Sequence, residues 1–423
     1  MIRSFTVKNF KSIQNEVALH FDAYKEDRVH WGNVSETSEG PILTVMGLWG
    51  PNASGKSNVL EALKGLRQLV CTSQRNELDE PIRVFQPYKL NEKAEDSKVS
   101  FSLEFFERQT HGLYSYSVVF NRKKVFLERL LRLRGEQEEE VYTRDQNGQL
   151  VMGDKARGEL RVPVLDNQLV LSVAAQQPEG PELLKNIFRF FKNDIRCLTA
   201  GQRGAFVAED AWEKNGDLIG RMLSLADFGI QGIDVQKTGI VREGIPDSFP
   251  EGLKEKILKI SENKVLFLHN GVPFQTEEES EGTVRFFEFI PLLIDIFSDW
   301  DTADTLVVDE IECKLHPLVV KMMIWMFQDP ELNVNHHQLI FTTHNTSFLD
   351  SELFRRDQIW FTQKRKEGNT ELTCLAEYEG VEADTNFEQW YRMGRFEALP
   401  EIAFKEIKAA LIKTRKLREK EEK

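Results

Sequence analysis

The chain is most constrained around residue 50, where a mostly apolar run, Ile42–Leu48, opens onto Gly50-Pro51-Asn52-Ala53-Ser54-Gly55-Lys56-Ser57. That octapeptide matches GxxxxGK[ST] at every fixed position. Beyond it, Leu60, Leu63, Leu66 and Leu69 recur at helical spacing, so the local reading is strand, loop, helix. The glycines let the backbone curl until its N–H groups face phosphate oxygens. The helix that follows presents its positive end to the same anion. Gly50 to Asn58 is therefore a candidate nucleotide cradle, in which Lys56 reaches the β- and γ-phosphates and Ser57 gives a hydroxyl to Mg²⁺. ATP and Mg²⁺ are the expected ligands.

Leu306-Val307-Val308 is an apolar strand ending in Asp309-Glu310, the Walker B arrangement. Asp309 is expected to hold Mg²⁺, and Glu310 to act as general base toward water. Acidic pairs at strand ends are often merely solvated; the phosphate cradle in the same chain is what gives this pair chemistry. A second apolar run, Gln338–Thr343, delivers His344, a candidate sensor of the γ-phosphate and holder of the attacking water. Gln86, in Val84-Phe85-Gln86-Pro87, is a further candidate Mg²⁺ ligand. Lys11 and Ser12, after the first strand, are candidates for phosphate or base contacts.

Periodicity organises the rest coarsely. Val99–Phe105 and Tyr114–Phe120 alternate apolar with polar residues and read as an antiparallel hairpin. The charged stretch 123–164 is broken by the turn signal Asp145-Gln146-Asn147-Gly148. Leu183–Phe191, Ala211–Leu225 and Pro317–Phe327 have helical patterns, and Phe404–Lys423 is a charged helical stretch. The expected division is an N-terminal lobe over 1–165, a mostly helical inserted region over 166–265, a C-terminal lobe over 266–400 and a charged helix over 401–423.

Composition removes several alternatives. A net charge of −13 argues against the whole surface being a nucleic-acid glove. The four cysteines are far apart with no CxxC pair, which speaks against a zinc site and a disulfide framework. No apolar run approaches the length of a membrane span, and the N-terminus reads as an amphipathic strand without a signal-peptide core, so a cytoplasmic protein without membrane partner is expected.

The order of "NFKSI", "GPNASGKSN", "ESEGT", "LVVDEIECKLHP" and "IFTTHN" resembles the ABC-type AAA family ATPases of the SMC, RecF and OLD group. "RRDQIWFTQK" (Arg355–Lys364) and "WYRMGRFEALP" (Trp390–Pro400) resemble the RloA-like branch of bacterial antiphage defence ATPases. The resemblance implies an α/β fold: an ABC/SMC-like P-loop head with a mixed sheet, an antiparallel β lobe and a helical inserted region. It also implies ATP sandwiched between two subunits of a homodimer or higher homo-oligomer. In such a sandwich Ser280 and Gly282 of Glu279–Thr283 would contact the γ-phosphate bound by the opposite copy, as a helix N-terminus facing an anion. Leu315-His316 stands where such ATPases carry a loop that helps pair the subunits.

Relatives of this kind are often encoded beside a separate effector, such as a Toprim-like nuclease, which the ATPase holds or releases when a phage-encoded trigger is sensed. The chain departs from the pattern twice. It has no long coiled coil of the RecN and SMC kind, and fewer than 80 residues follow His344, with no run of acidic metal ligands suited to a Toprim domain. The expectation is a nucleotide-driven sensor and scaffold acting through an effector. The alternative is a RecF/SMC-like DNA-repair clamp that binds DNA directly, which would need clustered Lys and Arg; the locally basic Arg122–Arg134 also reads as a solvated hairpin. A transporter ATPase subunit, a third reading, fits the hairpin-rich early lobe and the NFKSI start poorly.

Overall fold

The computed structural model describes the chain except residues 26, 28, 38–39, 92–93, 154–162, 199–208, 227–228, 238–262, 299–304, 401 and 422–423. Parts of the charged stretch 123–164 and of the inserted region 166–265 thus lie outside the described residues, as does the end of the C-terminal stretch.

The chain opens with β1 (Ile2–Lys8) and β2 (Val17–His20), an antiparallel pair. A small ribbon, β3 (Val34–Thr37) and β4 (Gly40–Leu43), precedes β5 (Val45–Trp49), which feeds α1 (Lys56–Thr72) through the glycine-rich loop. The apolar run Ile42–Leu48, read as one strand, is in fact two. It breaks at Thr44, whose N–H turns to the Asn33 carbonyl and whose carbonyl accepts from Leu339 N–H, so β4 and β5 join different sheets.

Four long strands follow: β6 (Val99–Glu107), β7 (Gly112–Phe120), β8 (Val125–Arg134) and β9 (Gln137–Arg144), with the short β10 (Leu150–Met152). They join β1 and β2 in a seven-stranded antiparallel sheet of order β10-β9-β8-β7-β6-β1-β2. The alternation of Val99–Phe105 and Tyr114–Phe120 appears directly as one buried face. Helices α2 (Val170–Ala174) and α3 (Glu182–Arg189) lead to β11 (Ile195–Leu198), followed by α4 (Glu209–Leu225) and the three-stranded sheet of β12 (Gly232–Lys237), β13 (Asn263–His269) and β14 (Val272–Gln275).

The C-terminal part contributes α5 (Glu281–Ser298), β15 (Thr305–Val308), α6 (Pro317–Gln328), β16 (Gln338–Thr342), β17 (Ile359–Lys364), β18 (Thr370–Cys374), α7 (Phe387–Arg392) and α8 (Phe404–Glu421). Its sheet has the order β11-β15-β16-β5-β17-β18, parallel except for β18. Strands β5, β15 and β16 are buried on both faces, as continuous apolar runs in a parallel sheet should be.

This sheet is the wall between two cores. Met46, Leu48, Val307 and Ile340 face one core, which includes the antiparallel sheet and α1. Their neighbours Val45, Trp49, Leu306, Val308, Leu339 and Phe341 face the other, filled by α5 and α6. Gly47 sits between because a Cβ there would lie 2.3 Å from the Trp49 ring and 2.7 Å from the Phe341 ring. No described helix is long and apolar enough to cross a membrane.

Candidate nucleotide site

The loop from β5 to α1 is packed from behind by the C-terminal strands. Gly50 has φ +152° and Gly55 φ +109°, and a Cβ on Gly55 would lie 2.1 Å from Thr370 Oγ1. Ser54 Oγ lies 2.5 Å from Thr362 Oγ1, and Thr370 Oγ1 donates to the Ser54 carbonyl at 2.8 Å. Asn58 Nδ2 donates to Ser12 Oγ at 2.6 Å, and Ser12 Oγ in turn lies 2.7 Å from Thr370 Oγ1. The loop is therefore held from outside its own sequence, with Asn52 and Ala53 exposed at its tip.

Lys56, the first residue of α1, is buried, and its ammonium donates to the carbonyls of Gly50 (2.8 Å) and Pro51 (3.1 Å). It lies 3.2 Å from His344 Nδ1. Burial lowers the Lys56 pKa to about 8, against the opposing pull of Glu312, Glu310 and Asp309. The ammonium is thus a poorly solvated cation, best satisfied by an anion.

Asp309 and Glu310 stand opposite. Asp309 Oδ1 accepts from Ser57 Oγ at 2.9 Å and from Thr342 Oγ1 at 2.7 Å. Glu310 has left-handed backbone (φ +51°), a setting that costs a non-glycine residue roughly 1–2 kcal/mol. Its N–H donates to Thr342 Oγ1 at 2.8 Å, which helps hold that turn. The Glu310 carboxylate lies 3.8 Å from His344 Nε2. Burial, and then the Lys56 charge, push the His344 pKa down, which favours the neutral imidazole.

The structure thus gathers Lys56, Ser57, Asp309, Glu310 and His344 around one loop. Other expected residues lie differently. The Gln86 side chain is exposed, and it is the Gln86 carbonyl that accepts Lys11 N–H at 2.8 Å. The Lys11 ammonium pairs with Glu61; burial lowers its pKa, opposed by Asp309, which ties it electrostatically to the site.

Ser280 and Gly282 belong to the start of α5, not to the loop. Ser280 Oγ accepts Thr283 N–H at 3.0 Å as a helix cap, and the Ser280 side is exposed. A Cβ on Gly282 would lie 2.7 Å from the Lys314 carbonyl, while Lys314 Nζ pairs with Glu281 at 2.7 Å. His316 caps α6 through Nδ1, which accepts Leu318 N–H.

The residues fit a magnesium nucleotide. Lys56 is a buried ammonium at the loop, and Ser57 with Asp309 supplies the hard oxygen donors Mg²⁺ takes. Residues 45–350 match the family described as "AAA domain, putative AbiEii toxin, Type IV TA system". The chain belongs to this AAA family. Among solved structures the AAA chain is similar to the SMC head domain from Thermotoga maritima, with TM-score 0.40 and 16% identity, covering 88% of this chain and 98% of that one. It is also similar to the recombination mediator protein RecF with ATPrS in the RecFOR pathway, with TM-score 0.36, 14% identity and the same coverages of 88% and 98%. No curated protein sequence matches it.

Four residues around the AAA site escaped the sequence reading: Thr342, Thr362, Thr370 and Glu312. Thr342 lies inside "IFTTHN", where it reads as one more strand residue. Thr370 lies outside every quoted stretch and has no local signal. Glu312, two positions beyond Glu310, accepts the His344 backbone N–H at 2.6 Å.

Proposed function

We propose that this AAA-family ATPase binds ATP with Mg²⁺ and hydrolyses it at a site completed by a second copy, in the cytoplasm. The observation that carries this reading is the convergence of Lys56, Asp309, Glu310 and His344 on one glycine-rich loop. Lys56 would bind the terminal phosphates, while Ser57 and Asp309 hold Mg²⁺, which when bound neutralises charge on phosphate oxygens. Glu310 takes the proton of the attacking water at a carboxylate oxygen, and neutral His344 orients that water from Nε2.

The exposed cap of α5 supports the second-copy element. Ser280 offers a hydroxyl and a helix start outward rather than to its own loop. The family's description, with its toxin and type IV TA wording, supports a role in bacterial antiphage defence of the abortive-infection kind. There the ATPase would control a separate effector, of which a Toprim-like nuclease is the favoured form, in response to a phage-encoded trigger. The second reading, a clamp that binds DNA directly, draws on α8. Its sequence holds Lys405, Lys408, Lys413, Arg415, Lys416, Arg418 and Lys420 against Glu406, Glu419 and Glu421, a local net of +4 (7 − 3) in a chain of −13.

Two variants test the ATPase. Lys56→Ala is expected to abolish ATP binding. Glu310→Gln is expected to bind ATP, to lose turnover and to accumulate as a dimer in mass measurements with ATP. Normal turnover by Glu310→Gln would remove Glu310 from its role, and a monomer at saturating ATP would remove the shared site.

A further inference from the structure

The loop after β15 carries a third carboxylate that the reaction as read so far does not use. Glu312 Oε1 accepts the His344 backbone N–H at 2.6 Å, and its Oε2 is buried without a hydrogen-bond partner. Nothing else among the described residues hydrogen-bonds this side chain, so it is not part of a wider structural network. The location of that N–H matters. Strand pairing between β16 and β5 ends at Thr342 opposite Leu48, and Thr343 N–H makes the last main-chain bond, to the Leu48 carbonyl. His344 is the first residue beyond that last bond, and Glu312 fixes the main chain there.

What that main chain carries is the imidazole, with Nδ1 3.2 Å from Lys56 Nζ and Nε2 3.8 Å from the Glu310 carboxylate. Water or a hydroxyl would satisfy one backbone N–H. A carboxylate is a costlier acceptor to keep partly buried, because an unpartnered charged oxygen is disfavoured away from water.

We propose that Glu312 is a positioning residue of the ATP site, clamping the His344 main chain so that the imidazole stays aimed between Lys56 and Glu310. The role presupposes the ATPase reading. It differs from that of Glu310, since Glu312 acts through His344 and not on the reacting water.

The test is a double-mutant cycle on the full chain, with ATP and Mg²⁺ as the probe. Turnover and ATP affinity are measured for wild type, Glu312→Ala, Glu312→Gln, His344→Ala and the Glu312→Ala/His344→Ala pair. Glu312→Ala is expected to lower kcat by about tenfold or more with ATP affinity within about threefold, the signature of a group felt in the transition state. Glu312→Gln retains an oxygen that accepts the N–H and is expected to recover most of the lost turnover. In the His344→Ala background, removing Glu312 should cost less than about twofold, because the two residues act as a unit. Losses that simply multiply overturn the inference, as does a Glu312→Ala protein whose ATP affinity and thermal midpoint fall in step with kcat. A wild-type protein that binds ATP without any turnover overturns the ATPase reading itself and takes this inference with it.

Discussion

Lys56 shows how much chemistry one position in the loop concentrates. Burial holds its pKa at about 8, below the 10.5 of a free lysine. A triphosphate beside it favours the charged form, so ATP binding raises the pKa. The sign follows: the attraction is fully present below about pH 8, and is lost as pH rises through the raised value. The dissociation constant for ATP, measured across neutral and alkaline pH, is expected to be flat to about pH 8 and then to weaken, by at most roughly tenfold per unit. A profile still flat well above pH 8 contradicts the charge assignment. Thr342 supports the opposite side of the site. Thr342→Val removes the donor to Asp309 and the acceptor of Glu310 N–H, a loss of roughly 1–3 kcal/mol of stability in denaturant unfolding. Its turnover is expected to fall more than its ATP affinity, since Glu310 loses the hold on its left-handed turn.

At the scale of elements, the glycine-rich loop is shaped by its neighbours as much as by its own residues. Gly55→Ala would force a side chain into left-handed backbone and against Thr370 Oγ1 at 2.1 Å. It is expected to abolish ATP binding, measured by titration, whereas Gly148→Ala, in open space at the Asp145–Gly148 turn, should leave affinity intact. Binding by Gly55→Ala at wild-type strength would show that the Thr370 backing is dispensable. The same elements explain what the sequence made readable. Strand, loop and α1 follow from local pattern, as do β6, β7, β15, β16 and the residues at their ends. Thr370 does not, because its partner Ser54 lies 316 positions away, and no periodicity reports a contact across that distance. Nor does the break at Thr44, since both halves of Ile42–Leu48 are equally apolar and only pairing partners tell them apart. Within the stretch read as a helical insertion, β11 forms the edge of the parallel sheet beside β15, four residues too short to stand out by pattern.

For the whole molecule, the parallel sheet is a shared wall. Alternate residues of β5, β15 and β16 serve the two cores, so neither core can be dissolved without exposing the sheet that closes the other. Gln338 adds a polar tie: from β16 its side chain accepts Ile2 N–H at 2.6 Å and donates to the Ile2 carbonyl at 2.8 Å, joining the antiparallel sheet to the parallel one. Thermal unfolding of these regions is therefore expected as one transition. ATP with Mg²⁺ should raise it as a unit, by about 2.7 kcal/mol at a hundredfold excess over the dissociation constant. Two transitions in calorimetry, only one of them moved by ATP, would mean that the cores are independent.

Gly282 leaves no gap between the start of α5 and the Lys314 carbonyl, and the Glu281–Lys314 pair closes the same seam. Lys314 follows Glu310 by one tight turn, in which Cys313 N–H donates to the Glu310 carbonyl and Leu315 N–H to that of Glu312. The helix end and the carboxylate loop thus touch directly. If the proposed second copy takes hold of the outer end of α5, its grip therefore bears on the same stretch of chain that carries Glu310.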